Sequence, residues 1–321
     1  MVDASDSPSP NPLPYLNEAC LGALQIDAHE VVNAIETIVE GQAEGTVWNA
    51  PKASITPPDD RFMMSTMCAA DGPGLLAVKS LVLNPGNPAD GLPMMNSLVS
   101  LVDSRTGVPR AIVDGNWVTS VRTAGLSALA ARYLAAPDSE VIAFIGCGVQ
   151  ARAHLEAFAQ LYPLAEVRAF GRGAHNRDAL CALADELKLK SVTPESAQQA
   201  VAGAHIVVTS VTRSPSLVPF LDANWLSAGS FVTVTDVAAP WHDGSLESLD
   251  NVIIDDLKQE ATMSQPMVDT SLVAGDLTGL VLDEVSGRRS PTERTGFVFR
   301  GLGLGDLAVA ALAYEHWLNA Q

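Results

Sequence analysis

The chain has 321 residues, a formal net charge of −18, 47% hydrophobic residues and 17% charged ones. This length predicts two domains rather than one core, and the composition excludes a chain that is mostly disordered. The acidic balance argues against nucleic acid and anionic membrane surfaces as partners, and no uncharged apolar run reaches the roughly 18 residues of a membrane span.

The N-terminal MVDASDSPSPNPLP has neither the basic nor the apolar region of a secretory signal and reads as a frayed tail. Residues 15–45 read as a strand followed by a helix. LGALQID supplies the short element, and HEVVNAIETIVEGQAEG carries Val31, Val32, Ile35, Ile38 and Val39 at helical spacing. Gly41 and Gly45 are expected to stop that helix. Over 47–118, short apolar runs alternate with the turn chemistry of NPGNPADG, DSRTG and VDGN. LLAVKSLVL, SLVSLVD and PRAIVDGNWV therefore read as strands of an antiparallel sheet joined by hairpins. After Arg122 the texture changes. TAGLSALAARYLAAP predicts an Ala-rich helix ending at Pro137. Strand 141–145 and helix 150–161 follow, then strand 166–170 and helix 176–188, then strands at 204–211, 230–237 and 251–256. Strands and helices alternating in units of about 30 residues predict a parallel, doubly wound sheet. GDLAVAALAYEHWLNAQ closes the chain as a helix, with Asp306 placed to cap its first turn. Cys20, Cys68, Cys147 and Cys181 are scattered without a CxxC pair, which fits reduced thiols and a cytoplasmic setting. No HxxxH or Cys/His cluster suggests a metal, and His154, on the helix four residues beyond Gln150, reads as structural.

Strand 141–145 runs into Gly146-Cys147-Gly148-Val149-Gln150-Ala151, a GxGxxA turn that opens a helix. The first glycine permits the tight turn, the second lets the backbone approach a pyrophosphate, and the small Ala151 lets helix and strand pack closely. The helix N-terminus favours the negative charge. The next strand ends in Ala169-Phe170-Gly171-Arg172-Gly173-Ala174-His175, with no carboxylate where NAD-binding folds place one for the ribose hydroxyl. Arg172, helped by His175 or Arg177, suits a 2′-phosphate. This leans towards NADP(H) and leaves NAD(H) open.

Three segments carry a resemblance over about residues 47–315. They are GLPMMNSLVSLVDSRTGVPRAIVDGNWVTSVRTAGLSALAARYLA, IGCGVQARAHLEAF and GLGLGDLAVAALAYE. In them the chain resembles the ornithine cyclodeaminase/μ-crystallin family. The resemblance implies an α/β fold in which a Rossmann dinucleotide-binding domain (121–299) is inserted into an α+β antiparallel substrate and dimerisation domain (1–120, completed by 300–321). It implies a homodimer, an NAD(P)H cofactor and a small imino or amino acid substrate. Members include ornithine cyclodeaminases, alanine dehydrogenases, pyrroline-2-carboxylate and other ketimine reductases, and iminosuccinate reductase. They share an imino acid intermediate, to or from whose C=N carbon hydride moves.

By the same resemblance, substrate binding and catalysis map to Lys52, Lys79, Arg122 and Asp236, and cofactor binding to Arg122, Thr123, Gly146, Gly148, Val149, Gln150, Ala151, Arg172 and Asp236. The residues themselves support several of these. Lys79 sits mid-strand in an apolar run, where a lysine is costly unless paired or functional. It suits binding a carboxylate or assisting proton transfer; the plainer reading is an edge-strand lysine with its head in water. Lys52 stands where several members have Arg, a point charge in place of a fork. The planar fork of Arg122, at the start of the Ala-rich helix, suits a carboxylate or a phosphate. Asp236 follows a parallel strand at the edge where open α/β sheets place ligands, and it suits a general acid or base on the substrate nitrogen.

One departure bears on substrate. Where ornithine cyclodeaminases have E-x-M-P, this chain has Ser65-Thr66-Met67-Cys68. The carboxylate that would meet the ornithine amine is missing. A hydroxyl-bearing stretch, with Arg61 nearby, suits a second carboxylate instead. The expected activity is therefore reduction of a small imino acid, with iminosuccinate to L-aspartate as the leading case and pyrroline-2-carboxylate, other ketimines or pyruvate with ammonia behind it. The alternatives are a redox-neutral ornithine cyclodeaminase and a non-catalytic, crystallin-like NAD(P)H-binding protein.

Overall fold

Two sheets divide the strands by the hydrophobic pattern of their sequences. The structure, a computed structural model, describes residues 12–214 and 216–321; the tail to residue 11, read above as frayed, lies outside the described residues. The first sheet contains β1 (Tyr15–Leu16), β2 (Val47–Asn49), β3 (Ala53–Ile55), β4 (Phe62–Ala70), β5 (Leu75–Leu83), β6 (Met95–Asp103) and β7 (Pro109–Asp114). Its order is β1-β7-β6-β5-β4-β2, with β3 also on β4. It is antiparallel except for the parallel β1–β7 pair. Period-two alternation turns Cys68, Ala70, Leu75, Ala77, Val99 and Leu101 to a buried inner face, while Ile55, Met67, Val82 and Leu98 stay exposed on the outer one.

The helices of the first half are α1 (Glu18–Ala23), α2 (Ala28–Glu44) and α3 (Gly115–Leu134). LGALQID is thus the end of a short helix and a loop, not a strand, because Asn17 caps α1 by accepting from the Cys20 amide. Gly41 lies inside α2 and does not stop it. Its missing Cβ leaves room for Val47, whose Cγ2 would lie 2.8 Å away, and the helix ends at the left-handed Gly45. PRAIVDGNWV divides at Asp114. That side chain accepts from the Asn116 and Trp117 amides and starts α3 there, so Arg122 lies about two turns inside the helix rather than at its start. α3 also spans the expected boundary at 120/121.

The second sheet holds β8 (Val141–Ile145), β9 (Glu166–Phe170), β10 (Lys190–Val192), β11 (Ile206–Thr209), β12 (Phe231–Val234), β13 (Asn251–Ile254), β14 (Val273–Asp276) and β15 (Thr295–Val298). Its helices are α4 (Val149–Leu161), α5 (Ala174–Glu186), α6 (Ala197–Val201), α7 (Leu257–Ala261) and α8 (Leu277–Val281). All pairings are parallel, in the order β10-β9-β8-β11-β12-β15-β13-β14. β11, β12, β13 and β15 are buried throughout, as a sheet covered on both faces requires. The chain leaves β8 for β9 and β10 on one side and returns to β11 on the other. That reversal is a Rossmann switch point, and ligands bind at its carboxyl edge. β15 enters between β12 and β13, an insertion the sequence pattern did not reveal. α9 (Gly303–Asn319) then crosses back to pack on β4, β5, α2 and α3.

α3 ties the two sheets together, touching β6 on one side and α4, β12 and β15 on the other. Its first residue, Gly115, is pressed on β6: a Cβ there would lie 2.5 Å from the Ser97 carbonyl carbon and 2.6 Å from the Leu98 nitrogen. Backbone cannot yield as a flexible side chain can. Gly115→Ala should therefore destabilise by about 1–3 kcal/mol, read as a lower urea midpoint at unchanged slope.

Candidate active site

Four elements converge on one carboxylate. Asp306 lies in the first turn of α9, but it does not cap the helix: the N-cap is Leu302, which offers no side chain. Asp306 instead points inward and is 1% exposed. Its Oδ1 receives Lys79 Nζ from β5 at 2.6 Å, and its Oδ2 accepts from the Thr66 hydroxyl of β4 at 2.9 Å. Arg122 Nε of α3 lies 3.1 Å from Oδ1 as an ion contact, without hydrogen-bond alignment. Lys79 is also within 3.3 Å of the Thr119 hydroxyl. The lysine in an apolar strand is therefore buried and paired, at 1% exposure. Burial lowers its pKa to about 8 against the pull of Asp306. Burial also works against the Asp306 charge, yet Lys79, Arg122 and Thr66 together hold that carboxyl below its ordinary value.

Lys52, half-buried between β2 and β3, joins from the side by donating to the Arg300 carbonyl at 3.0 Å. Burial lowers it to about 8, and it lies within electrostatic range of Asp255, Arg122 and Asp306. The passage from β15 to α9 presses on Arg122. At Gly301, with φ of +85°, a Cβ would sit 2.1 Å from Arg122 Nη1, so only glycine fits.

Ser65 is not brought to this cluster. It pairs with Ser80 while Thr66 pairs with Lys79, so alternation sends Ser65 to the outer face and Thr66 to the site. Arg61 is exposed-side chemistry too, paired with Asp59 at 2.8 Å. The hydroxyl stretch thus places one hydroxyl by Lys79, and that hydroxyl is spent on Asp306.

The glycine turn lines a separate cleft of about 500 Å³, together with Phe170, Arg172, Asn176, Val211 and Phe220. Gly146 has φ of +91°, and a Cβ would lie 2.7 Å from the Ser210 carbonyl; at Gly148 a Cβ would meet nothing within 4 Å. The first glycine thus makes the turn and the second leaves open space. α4 starts there without a side-chain cap, so its first amides face outward as donors. Ala151 is fully buried, Val149 is exposed at the helix start, and Gln150 Oε1 is buried without a partner. Arg172 is exposed on the cleft wall. His175 and Arg177 are not among the lining residues. The Thr123 hydroxyl is turned into α3, donating to the Thr119 carbonyl at 2.6 Å. This donor set fits a dinucleotide.

Asp236 follows β12 and is tied to the cleft side. Its Oδ1 accepts from Thr209 at 3.1 Å and its Oδ2 from the Val211 amide at 2.9 Å. Burial nonetheless raises its pKa to about 6. The next two residues, Val237 and Ala238, are left-handed at φ of 52° and 60°. A β-branched residue there is strained, and such strain concentrates at functional sites. His154 is structural, as its position suggested. It is fully buried, bonded to Ser127 and the Gln150 carbonyl, and pushed down to about 4 by burial. Sequence reasoning missed Asp306 as a partner, Thr66, and Asp255 at the end of β13. Among the described residues no group of three or more His, Cys, Asp or Glu could hold a metal, and no helix is long and apolar enough to cross a membrane.

Fold and site together define a two-sheet α/β protein with a Rossmann-type cleft and a buried cation cluster beside its sheet edge. The chain belongs to the ornithine cyclodeaminase/mu-crystallin family, whose model matches residues 20–321. Alanine dehydrogenase of Archaeoglobus fulgidus is 28% identical over 306 residues, 92% of each chain. The Thermococcus litoralis Δ1-pyrroline-2-carboxylate reductase, solved with NADH and L-proline, superposes with a TM-score of 0.88 at 25% identity, over 96% of this chain and 98% of that one. An archaeal alanine dehydrogenase dimer with bound NAD gives 0.85 at 26% identity, over 96% and 97%.

Removing one partner of a buried ion pair strands the other. Asp306→Asn should cost about 3–5 kcal/mol at neutral pH. Because the Asp306 carboxyl is held low in the folded chain, its contribution is full above the unfolded value near 4 and is lost as pH falls. Urea titrations across acid pH should therefore show a shallower acid decline in the variant than in the native chain.

Proposed function

We propose that this chain is an NAD(P)H-dependent reductase of small imino acids, reversible as an amino acid dehydrogenase. The observation that carries the reading is the set of three cations, Lys52, Lys79 and Arg122, gathered around Asp306, with Asp255 the one further acid near Lys52, beside the Rossmann cleft. The excess positive charge suits an anionic substrate, and the solved relatives hold nicotinamide dinucleotides.

The open space at Gly148 and the uncapped start of α4 would hold the pyrophosphate, and Gln150 would meet the cofactor beside it. When bound, the dinucleotide supplies the hydride to the imine carbon. Arg122 and Lys52 hold the substrate carboxylate and turn the C=N carbon towards the cleft. Asp236 delivers the proton to the imine nitrogen, so that one C–H and one N–H bond replace the C=N π bond. Lys79 keeps the anion site positive and stands ready to shuttle that proton. Ser65 lies on the outer face and Arg61 is paired with Asp59, so this stretch supplies no contact for a second carboxylate at the cluster. We therefore place a monocarboxylic imine, cyclic or pyruvate-derived, ahead of iminosuccinate. We further propose a homodimer through the outer face of the first sheet, where Ile55, Met67, Val82 and Leu98 are exposed, and a division of the chain near residues 121 and 300.

The deciding measurement is oxidation of NADH and NADPH, followed by nicotinamide absorbance, with pyrroline-2-carboxylate, pyruvate plus ammonia, and oxaloacetate plus ammonia. Turnover with the first or second is expected; aspartate formation alone would return the reading to iminosuccinate. Proline from ornithine without net oxidation would make the chain a cyclodeaminase. Lys79→Ala and Asp236→Asn should each lower kcat by about 10²–10⁴-fold. The protonated form of Asp236 is the competent one for reduction, so the native rate falls as pH rises through about 6, whereas amino acid oxidation rises through the same value.

Arg172 is the charge on the cleft wall suited to a 2′-phosphate. Arg172→Ser should raise KM for NADPH about tenfold or more and leave KM for NADH within about twofold. Equal effects on both cofactors would remove the lean towards NADPH.

A further inference from the structure

Lys52 is held at the site indirectly. Its ammonium donates to the carbonyl of Arg300 at 3.0 Å, and the amide of the same residue donates to Asp255 Oδ2 at 3.0 Å. Gln259 Nε2 reaches that oxygen at 3.3 Å. Asp255 is 1% exposed, and its other oxygen, Oδ1, is buried without a partner. A carboxylate oxygen so placed is expensive unless a nearby charge offsets it. Lys52 is the leading counter-charge, and an ammonium carries three donors, of which one goes to Arg300. The Arg300–Gly301 segment also lies against the Arg122 guanidinium. Asp255 thus grips a piece of backbone that touches both Lys52 and Arg122.

We propose that Asp255 is a positioning residue of the anion site: it holds the Arg300–Gly301 peptide against Lys52 and Arg122, and its carboxylate favours the protonated Lys52 that the substrate carboxylate needs. This rests on the reading of Lys52 as a carboxylate ligand. Other charges face the pair from every side. Arg122 comes from α3, Lys79 from β5, Asp306 from α9, Asp256 and Glu260 from the start of α7, and Arg300 itself from the exit of β15. The Arg300 side chain is engaged by Glu260 at 2.7 Å, so it does not compete for Asp255. Burial pushes Asp255 up to about 6 and Lys52 down to about 8. Between those values both are charged, and above about 8 Lys52 loses the proton that the substrate needs.

The test follows the Lys52 amine directly. The pH dependence of its acylation is read by peptide mass spectrometry on the full-length native chain and on Asp255→Asn. The Lys52 titration should move acid-ward by about one pH unit, while the exposed Lys190 stays put. With an imine substrate, the second fall in kcat/KM, which lies above the Asp236 limb near 6 and belongs to Lys52, should move by the same amount. In a Lys52→Arg background, where the charge cannot be lost, Asp255→Asn should shift no limb. Should Asp255→Asn fail to fold, Lys52→Met supplies the reciprocal readout: the Asp255 carboxyl, followed by isotope-labelled NMR, titrates higher than in the native chain. An unmoved Lys52 titration in Asp255→Asn, or an unmoved Asp255 in Lys52→Met, overturns the proposal. Because neither titration needs turnover, a chain that reduces no imine would sink the functional reading separately.

Discussion

The burial of Lys79 against Asp306 is the constraint on which the rest of the site depends. The two residues are 227 positions apart in sequence, yet neither charge is tolerable inside without the other. Meeting at 2.6 Å fixes the last helix of the chain on the middle strand of the first sheet. Small residues permit the approach. A Cβ on Gly303 would lie 2.7 Å from Asn49 Oδ1 and 3.3 Å from Thr66 Cβ. Such a pair is weak evidence for stability, since well-packed apolar residues often do as well or better. Its presence at the centre of a cation cluster is better understood as a site requirement that the fold accommodates.

The division of labour between the sheets follows from their topology. An antiparallel sheet with one buried face offers alternating positions that can carry a long side chain inward, and Thr66 and Lys79 use adjacent ones on neighbouring strands. A parallel sheet, covered on both faces, leaves only its strand ends for polar chemistry. Asp236, Asp255 and Arg300 follow β12, β13 and β15 at that edge. Lys52 and Lys79 therefore come from one architecture, and Asp236 and Asp255 from the other. α3, packed on both, sets their registry.

How much of this was legible depended on whether a residue broke a local rule. Lys79 was visible because a lysine violates its apolar strand, and the glycine turn because β8 and α4 flank it at the right spacing. Asp306 looks like a cap because an acid early in a helix is favourable to the dipole whichever way it faces; nothing local says that this face meets β5. Ser65 and Thr66 form one hydroxyl pair, and a single step of strand phase reverses which face a side chain takes. The start of α3 was misplaced because Asp114-Gly115-Asn116 has the composition of a turn, and only the bonds from two amides to Asp114 reveal a cap. Asp255 sits in a tandem Asp pair, and sequence cannot tell the buried partner from the half-buried cap. The position of β15 between β12 and β13 is a long-range pairing that no local pattern encodes.

The buried carboxyls also show why burial alone does not assign a role. Asp236, Asp255 and Asp306 are at 5%, 1% and 1% exposure, so all three lose nearly all their water. Two are pushed up to about 6 and the third is held below its ordinary value. The difference lies in what faces them. Asp306 receives an ammonium, a guanidinium and a hydroxyl, whereas Asp236 has a hydroxyl and backbone amides but no cation, and Asp255 an amide, a distant amide side chain and one offset ammonium. An acid with surplus cations stays charged and organises the site. An acid with too few sits near neutrality, where it can give up or take a proton, or respond to a neighbour that does. The same burial that lowers Lys79 and Lys52 to about 8 raises Asp236 and Asp255 to about 6, which leaves these groups titrating on either side of neutral pH around one acid that does not.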